Sequence, residues 1–315
     1  MINKKALFGL IVMFFSCNNE AEKILPDSNG NINNISVVID DNLWAGEVGK
    51  AIRENIAPTI YGLPQIEQVF DLRQIPPNVF SGFVRSSRSI LKIDISKEQR
   101  VFTLSNPYAY PQKVIQITAK NPNDLIDLIK KNKNKIYSVL YYNELQEKQR
   151  RISKSLNKTK DIKINTGVQL KIPSAYRVAK SEKNFVWIRR DIKTGSVNLL
   201  VSKLKSVNKE KIIHVRDSVS RNHIPGPVEN TYMSTDMTYK PNIDEILIGD
   251  KKAYETRGLW EVETQFMAGP FINFLLKSDE QKDEYIMIDG FVYSPGSDKR
   301  EYIFELEAII RSLSF

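Results

Sequence analysis

The chain has 315 residues, of which 41% are apolar and 26% charged, and its formal charge is +9. Those proportions suit one large globular domain or two ordinary ones, and they exclude a collagen-like or low-complexity chain. A single Cys excludes a disulfide framework and a cysteine-based zinc cluster, and two His leave little for a histidine metal centre.

The N-terminus reads as an export leader. Lys4 and Lys5 precede an apolar run over residues 6–15, and Ser16 and Cys17 follow. Ten helical residues span about 15 Å, half a bilayer core, which is too short to cross. A small residue before the lone Cys resembles a bacterial lipoprotein signal. That resemblance implies cleavage before Cys17 and acylation of its thiol, although Phe14 stands where Leu is usual. Acyl chains contribute about 0.8 kcal/mol per buried CH₂, so two or three hold a protein at a membrane without a spanning helix. Residues 18–34 are polar, with Pro26 and Gly30 and no apolar periodicity, and are expected to form a tether reaching about 20–25 Å. No later stretch approaches eighteen apolar residues. Loss of Lys4 and Lys5 lowers the formal charge by two and leaves a mildly basic body, suited to acidic envelope surfaces.

Residues 35–39 form a β-branched run that predicts a strand, and Asp40, Asp41 and Asn42 can cap the helix that follows. Trp44, Val48, Ala51, Ile52 and Ile56 recur at helical spacing, and Pro58 with Gly62-Leu63-Pro64 ends the pattern. Residues 89–95, 100–105 and 113–119 alternate as strands, with 96–99 as a turn joining the first two into a hairpin. Asn121-Pro122 opens a helix that either runs to about 156 or breaks at Asn132-Lys133-Asn134. A second hairpin is expected between 168–172 and 185–190. Beyond it come a strand at 197–201, a helix at 207–222, strands at 258–265, 271–276 and 284–293, and a final helix at 299–313.

The two halves share an order of strand, helix, Gly/Pro break, three strands and helix. Ile52-Arg53-Glu54 answers Val215-Arg216-Asp217, and the run from Arg88 to Ile93 answers that from Arg257 to Val262. The expected fold class is therefore α+β: two related units of antiparallel sheet covered by helices, arising by internal duplication. The expected organisation is a leader over 1–16, a lipidated tether over 17–34 and a first α+β unit over 35–131. A helical basic linker over 132–166 and a hairpin plus second α+β unit over 167–315 complete it.

A set of short words in fixed order resembles a family of Bacteroidota envelope lipoproteins, domain of unknown function 4837. They are Asp40-Asp41-Asn42-Leu43-Trp44 with Gly46-Glu47-Val48-Gly49, Gly62-Leu63-Pro64, and Phe185-Val186-Trp187-Ile188-Arg189. Gly258-Leu259-Trp260 leading to Phe266-Met267-Ala268-Gly269-Pro270-Phe271 continues the set, and Gly290-Phe291-Val292-Tyr293 with Leu306-Glu307-Ala308-Ile309 closes it. The resemblance implies an envelope address and no assigned activity.

No nucleophile elbow, phosphate-binding loop, dinucleotide fingerprint or zincin motif is present. His214 and His223 lie nine residues apart, not at the spacing that places two ligands on one helix face. The residues that read as recognition are Arg85 and Arg88 with the hydroxyls between them, and Tyr108 and Tyr110 in a proline-flanked loop. Arginine offers planar, multi-donor contacts to phosphate or carboxylate, and tyrosine offers large contacts at low entropic cost. The reading is a non-enzymatic envelope lipoprotein anchored through Cys17 at the outer membrane. Arg85, Arg88, Tyr108 and Tyr110 would meet an envelope protein or an acidic glycan; nucleic acid, metals and cofactors are not expected. Two alternatives stay open: a peptidoglycan- or glycan-directed hydrolase using Asp40 or Asp41, and an apolar-ligand carrier whose pocket is lined by Trp44, Trp187 and Trp260.

Overall fold

The structure, a computed structural model, describes residues 24–279 and 282–315. The expected leader, Cys17 and the first part of the expected tether lie outside the described residues.

β1 (Asn34–Val38) is buried along most of its length. Asp40 then accepts a hydrogen bond from the Asn42 amide and starts α1 (Asp41–Ala45). The helix expected after Asp40 is two helices, because the chain turns at Gly46 before α2 (Glu47–Ile56) begins. Gly49 permits this joint: a Cβ there would sit 1.9 Å from the Trp44 carbonyl oxygen. β2 (Asp71–Ile75) follows, then two short 3₁₀ turns, β3 (Ser89–Ile95), β4 (Arg100–Ser105) and β5 (Lys113–Ala119).

These five strands form one sheet in the order β2-β1-β3-β5-β4. The pairs β1–β2, β1–β3 and β3–β5 are parallel, and β4 alone is antiparallel, on β5. The expected antiparallel sheet and its 90–105 hairpin are thus corrected. β5 is buried on both faces and takes the interior position beside β3, whereas β4 is half exposed and takes the edge. α2 covers one face with the first half of α3 (Pro122–Ser153), burying Leu125, Ile129, Ile136 and Leu140 against Ile35, Val37 and Ile117. The 3₁₀ crossover and the loop before β5 cover the other face with a smaller cluster that includes Phe80, Ile90 and Val114.

α3 begins as its sequence suggests, with Asn121 capping Asp124 and Pro122 in the first turn. It passes Asn132-Lys133-Asn134 without a break, since the buried stripe continues on both sides, and the expected boundary at residue 131 falls inside it. Its second half buries Leu145 and Ile152 in the other core, so one helix serves both units.

After α4 (Asp161–Thr166) come β6 (Arg177–Glu182), β7 (Phe185–Ile192), β8 (Gly195–Lys205), α5 (Ile212–His223), β9 (Met233–Thr235) and β10 (Asn242–Ile248). β11 (Lys251–Val262), β12 (Met267–Asp279), β13 (Glu284–Tyr293) and α6 (Arg300–Ile310) complete the chain. The second sheet is antiparallel throughout, ordered β10-β11-β12-β13-β8-β7-β6, with β9 on β11. The hairpin partner of β7 is β6 and not 168–172; that segment instead buries Val168 and Ile172 and bridges Ser314 through Gln169. α6 and the end of α3 close one face of the second sheet, and α5 covers the other.

The chain is therefore α+β, with two units of sheet covered by helices. The duplication is not carried by the topology. One sheet is mostly parallel with a crossover order and the other antiparallel, so the shared element order does not correspond to shared strand pairing.

Candidate functional site

Two places among the described residues gather polar side chains at the surface or in a cleft. The first is the edge of the first sheet where the chain leads in. Arg85 lies in the second 3₁₀ turn (Gly82–Ser86), Arg88 directly precedes β3, and Tyr108 and Tyr110 lie in the loop before β5. They come together because β5 runs parallel to β3 and both start at this edge; Ser89 pairs with Lys113. Gln112 is the clasp. Its Nε2 donates to the carbonyls of Arg85 and Ser87, at 2.6 and 2.7 Å, and its Oε1 accepts from the amides of Tyr108 and Ala109.

The four side chains do not share a role. Arg85 is exposed, donates Nε to the Phe80 carbonyl, and lies 5.4 Å from the Tyr108 ring centre. Tyr110 is 59% exposed. Arg88 is 1% exposed and is corrected as a ligand contact. Its guanidinium bonds both oxygens of the buried Glu144, at 3.0 and 2.6 Å, and donates to the carbonyls of Gly30 and Asn31. Glu144 also accepts from the Asn33 amide and the Ser89 hydroxyl. Arg88 and Glu144 together therefore fix Gly30, Asn31 and Asn33 to α3, and much of the expected tether is part of the body. Pro26 and Ser28 pair with Tyr110, and Asn29 pairs with Ser86 and Arg88.

The second place is a cleft of about 370 Å³ between the units, walled by α3, β10, β11, α6 and the loop after α2. Its floor is a closed ring of charge. Arg257 bonds Glu255 and Glu307, both at 2.6 Å, and Arg311 bonds the same two carboxylates at 2.9 and 2.7 Å. Burial would push the Glu307 carboxyl up, but Arg257 and Arg311 outweigh it and hold the group below the usual carboxylate range. Tyr141 donates to Glu307 and stacks on Tyr137 with ring centres 5.3 Å apart. Burial and the nearby Glu307 push the Tyr137 phenol up to about 12, and Tyr141 also rises well above its ordinary range. At neutral pH these phenols keep their protons and Glu307 stays ionised, so none of the three is poised to shuttle a proton. Sequence reasoning missed this ring. Its signals were Glu307 and Arg311 one turn apart on a helix face otherwise apolar, and Glu255 and Arg257 on one face of a strand.

The remaining candidates separate. Asp40 serves as a cap and Asp41 accepts from Gln74, which accounts for both carboxylates as local structure. Trp44 packs in the first unit beneath Arg53, whereas Trp187 and Trp260 belong to the α5 face of the second sheet, so the three line no common pocket. Trp187 donates to Asn198 and Trp260 to the Val292 carbonyl. His214 is exposed, and His223 stacks on Phe185 at 3.9 Å.

Residues 155–312 match the family model described as Domain of unknown function (DUF4837), and residues 28–153 match Domain of unknown function (DUF8532). No curated protein matches the chain. Among solved structures, LpqN, involved in cell envelope biogenesis of Mycobacterium tuberculosis, is 10% identical with a TM-score of 0.31, over 47% of this chain and 82% of its own. A point mutant of the protein Mog1 is 13% identical with a TM-score of 0.29, over 47% and 89%. The lipid transfer and protein localization domain of human StarD13 is 10% identical with a TM-score of 0.23, over 44% and 88%. All three likenesses are weak. The first match spans half of this chain, with the second match ahead of it, and the protein belongs to the family of domain of unknown function 4837.

Proposed function

We propose that the protein is a cell-envelope lipoprotein, anchored through acylated Cys17 at the outer membrane, whose body binds an acidic partner and performs no chemistry on it. The observation that carries the anchor is the leader itself: an apolar run after Lys4 and Lys5 that ends at the only Cys of the chain. Among the described residues no helix is long and apolar enough to cross a membrane, which is consistent with attachment through lipid. The binding reading is supported by the state of the charged groups. Those of the inter-unit cleft are bonded to one another, so a ligand there would have to break existing ion pairs. Arg85 forms no ion pair among the described residues and is exposed beside the Tyr108 ring, and Tyr110 is exposed in the same loop as Tyr108. That edge is the surface we assign to the partner.

Metabolic labelling with a palmitate analogue tests the anchor. The wild type is expected to incorporate label and to fractionate with the outer membrane, and Cys17→Ser is expected to incorporate none. An unlabelled wild type recovered as a free periplasmic species overturns the reading.

A further inference from the structure

The docked lead-in segment limits where the body can stand. The chain is held to the first sheet from Pro26 onward: the Tyr110 amide donates to the Pro26 carbonyl, the Ser28 amide to the Tyr110 carbonyl and the Asn29 amide to the Ser86 carbonyl. Arg88 and Arg151 both donate to the Gly30 carbonyl. Eight residues lie between Cys17 and Pro26, and the nine steps from one to the other span at most about 32 Å even when fully extended. A folded body of this size is about 45–50 Å across. With acyl chains on Cys17, the far end of the body cannot be the end that meets the lipid, because the lead-in edge would then lie beyond the reach of its own anchor.

The surface of that edge is suited to such a position. Ile24 is 95% exposed, Phe83 79% and Tyr110 59%, and Val79 is half exposed. Asn29, Val79, Phe83 and Ser87 surround one shallow cavity, which puts the exposed rings beside the lead-in segment. A cation lies among them, Arg85, in the same 3₁₀ turn as Phe83; Arg150 and Arg151 are both bonded to Glu147, and Arg151 also donates to the Gly30 carbonyl. Aromatic rings seat at the headgroup level of a bilayer, and arginine recognises phosphate through its planar fork.

We infer that this edge, built from Phe83, Arg85 and Tyr110 around the lead-in segment, is a membrane-contact face that lies on anionic phospholipid headgroups. The inference rests on the lipoprotein reading and names the acidic partner of the same surface. The body then rests on the membrane instead of floating clear of it.

The test uses the full lipidated chain reconstituted in vesicles containing phosphatidylglycerol and a lipid with a quencher on its acyl chain. Acylation of Cys17 leaves no other thiol, so a fluorophore can be placed at Phe83→Cys or, as control, at Lys97→Cys beyond the opposite end of β3. Quenching at position 83 and not at 97 supports the face, as does a loss of that quenching of about fivefold or more in Arg85→Glu. Equal quenching at both positions, quenching at neither, or quenching at 83 that is unchanged when phosphatidylcholine alone forms the vesicles overturns it. If Cys17 proves unacylated, the anchor reading falls on its own. Sedimentation of the unlipidated chain with phosphatidylglycerol vesicles then decides the face: pelleting that Arg85→Glu abolishes supports it, and no pelleting overturns it. Competition by inorganic phosphate that removes pelleting as fully as Arg85→Glu assigns Arg85 to a soluble anion and overturns the membrane contact.

Discussion

Arg85 and Arg88 stand three residues apart with the same chemistry and have opposite fates. Arg88 lies at the start of β3, where α3 brings Glu144 across the strand, and it is fully desolvated. Breaking a buried pair from one side leaves the other charge without compensation, which typically costs about 3–5 kcal/mol. Arg88→Ala is expected to lose stability of that order in urea unfolding and to release Gly30 and Asn31, whose carbonyls it holds. Arg85→Ala removes an exposed cation and is expected to change stability by less than about 1 kcal/mol. Equal losses in the two variants would show that Arg88 does not carry the lead-in segment. The second unit repeats the device with other residues: Arg216 and Asp289 are both fully buried, 2.9 Å apart, with Asn273 also donating to the carboxylate.

At the scale of elements, α6 shows how a helix carries charge into a core. Glu307 and Arg311 project from it among Ile303, Leu306 and Ile310, and they are tolerated only because β11 presents Arg257 and Glu255 in register with them. The net effect of Arg257 and Arg311 is a folded-state Glu307 that ionises below its ordinary value of 4.5. The unfolded chain therefore takes up the proton first as pH falls. The contribution of this group is complete above about pH 6 and is lost as pH drops through about 4.5 and below. The expected outcome is a wild-type unfolding midpoint that falls more steeply between about pH 6 and pH 4 than that of Glu307→Gln, measured by urea titration at each pH. The two proteins share every other carboxylate, so parallel curves would exclude Glu307 as a source of acid sensitivity.

At the scale of the molecule, the units are joined by groups far apart in sequence. Glu67 accepts from the Lys299 and Arg300 amides at 2.9–3.1 Å and so caps α6 from the other unit, and Arg300 returns to Asp71 through two bonds at 3.0 and 2.6 Å. Tyr141 reaches Glu307 from α3, and Asn33 reaches Glu301 from the lead-in segment. These contacts predict that both units unfold together. Far-UV circular dichroism and the fluorescence of Trp44→Phe, which reports the second unit alone, should give one midpoint. Glu67→Ala is expected to cost about 1–2 kcal/mol, the size of a lost helix cap, and to separate the two midpoints. Retention of a single midpoint in Glu67→Ala/Arg300→Ala would assign the coupling to α3 and the Asn33–Glu301 contact.

What the sequence by itself determined is local: the caps at Asp40 and Asn121, the apolar stripes of α2, α3 and α6, and the strand-forming runs of β3, β5 and β13. Each depends on residues within a few positions of one another, so periodicity and turn chemistry suffice. What only the tertiary structure decided is pairing. The short turn between β3 and β4 suggested a hairpin, but β5 is apolar on both faces and must be buried on both, so it separates them. The same neighbourhood reading made Arg88 and Arg85 equivalent, because the partner that distinguishes them, Glu144, lies on a helix 56 residues away. The ring of Glu255, Arg257, Glu307 and Arg311 was out of reach for the same reason. A charge inside a core is legible only with its counter-charge, and the counter-charge is supplied by the fold.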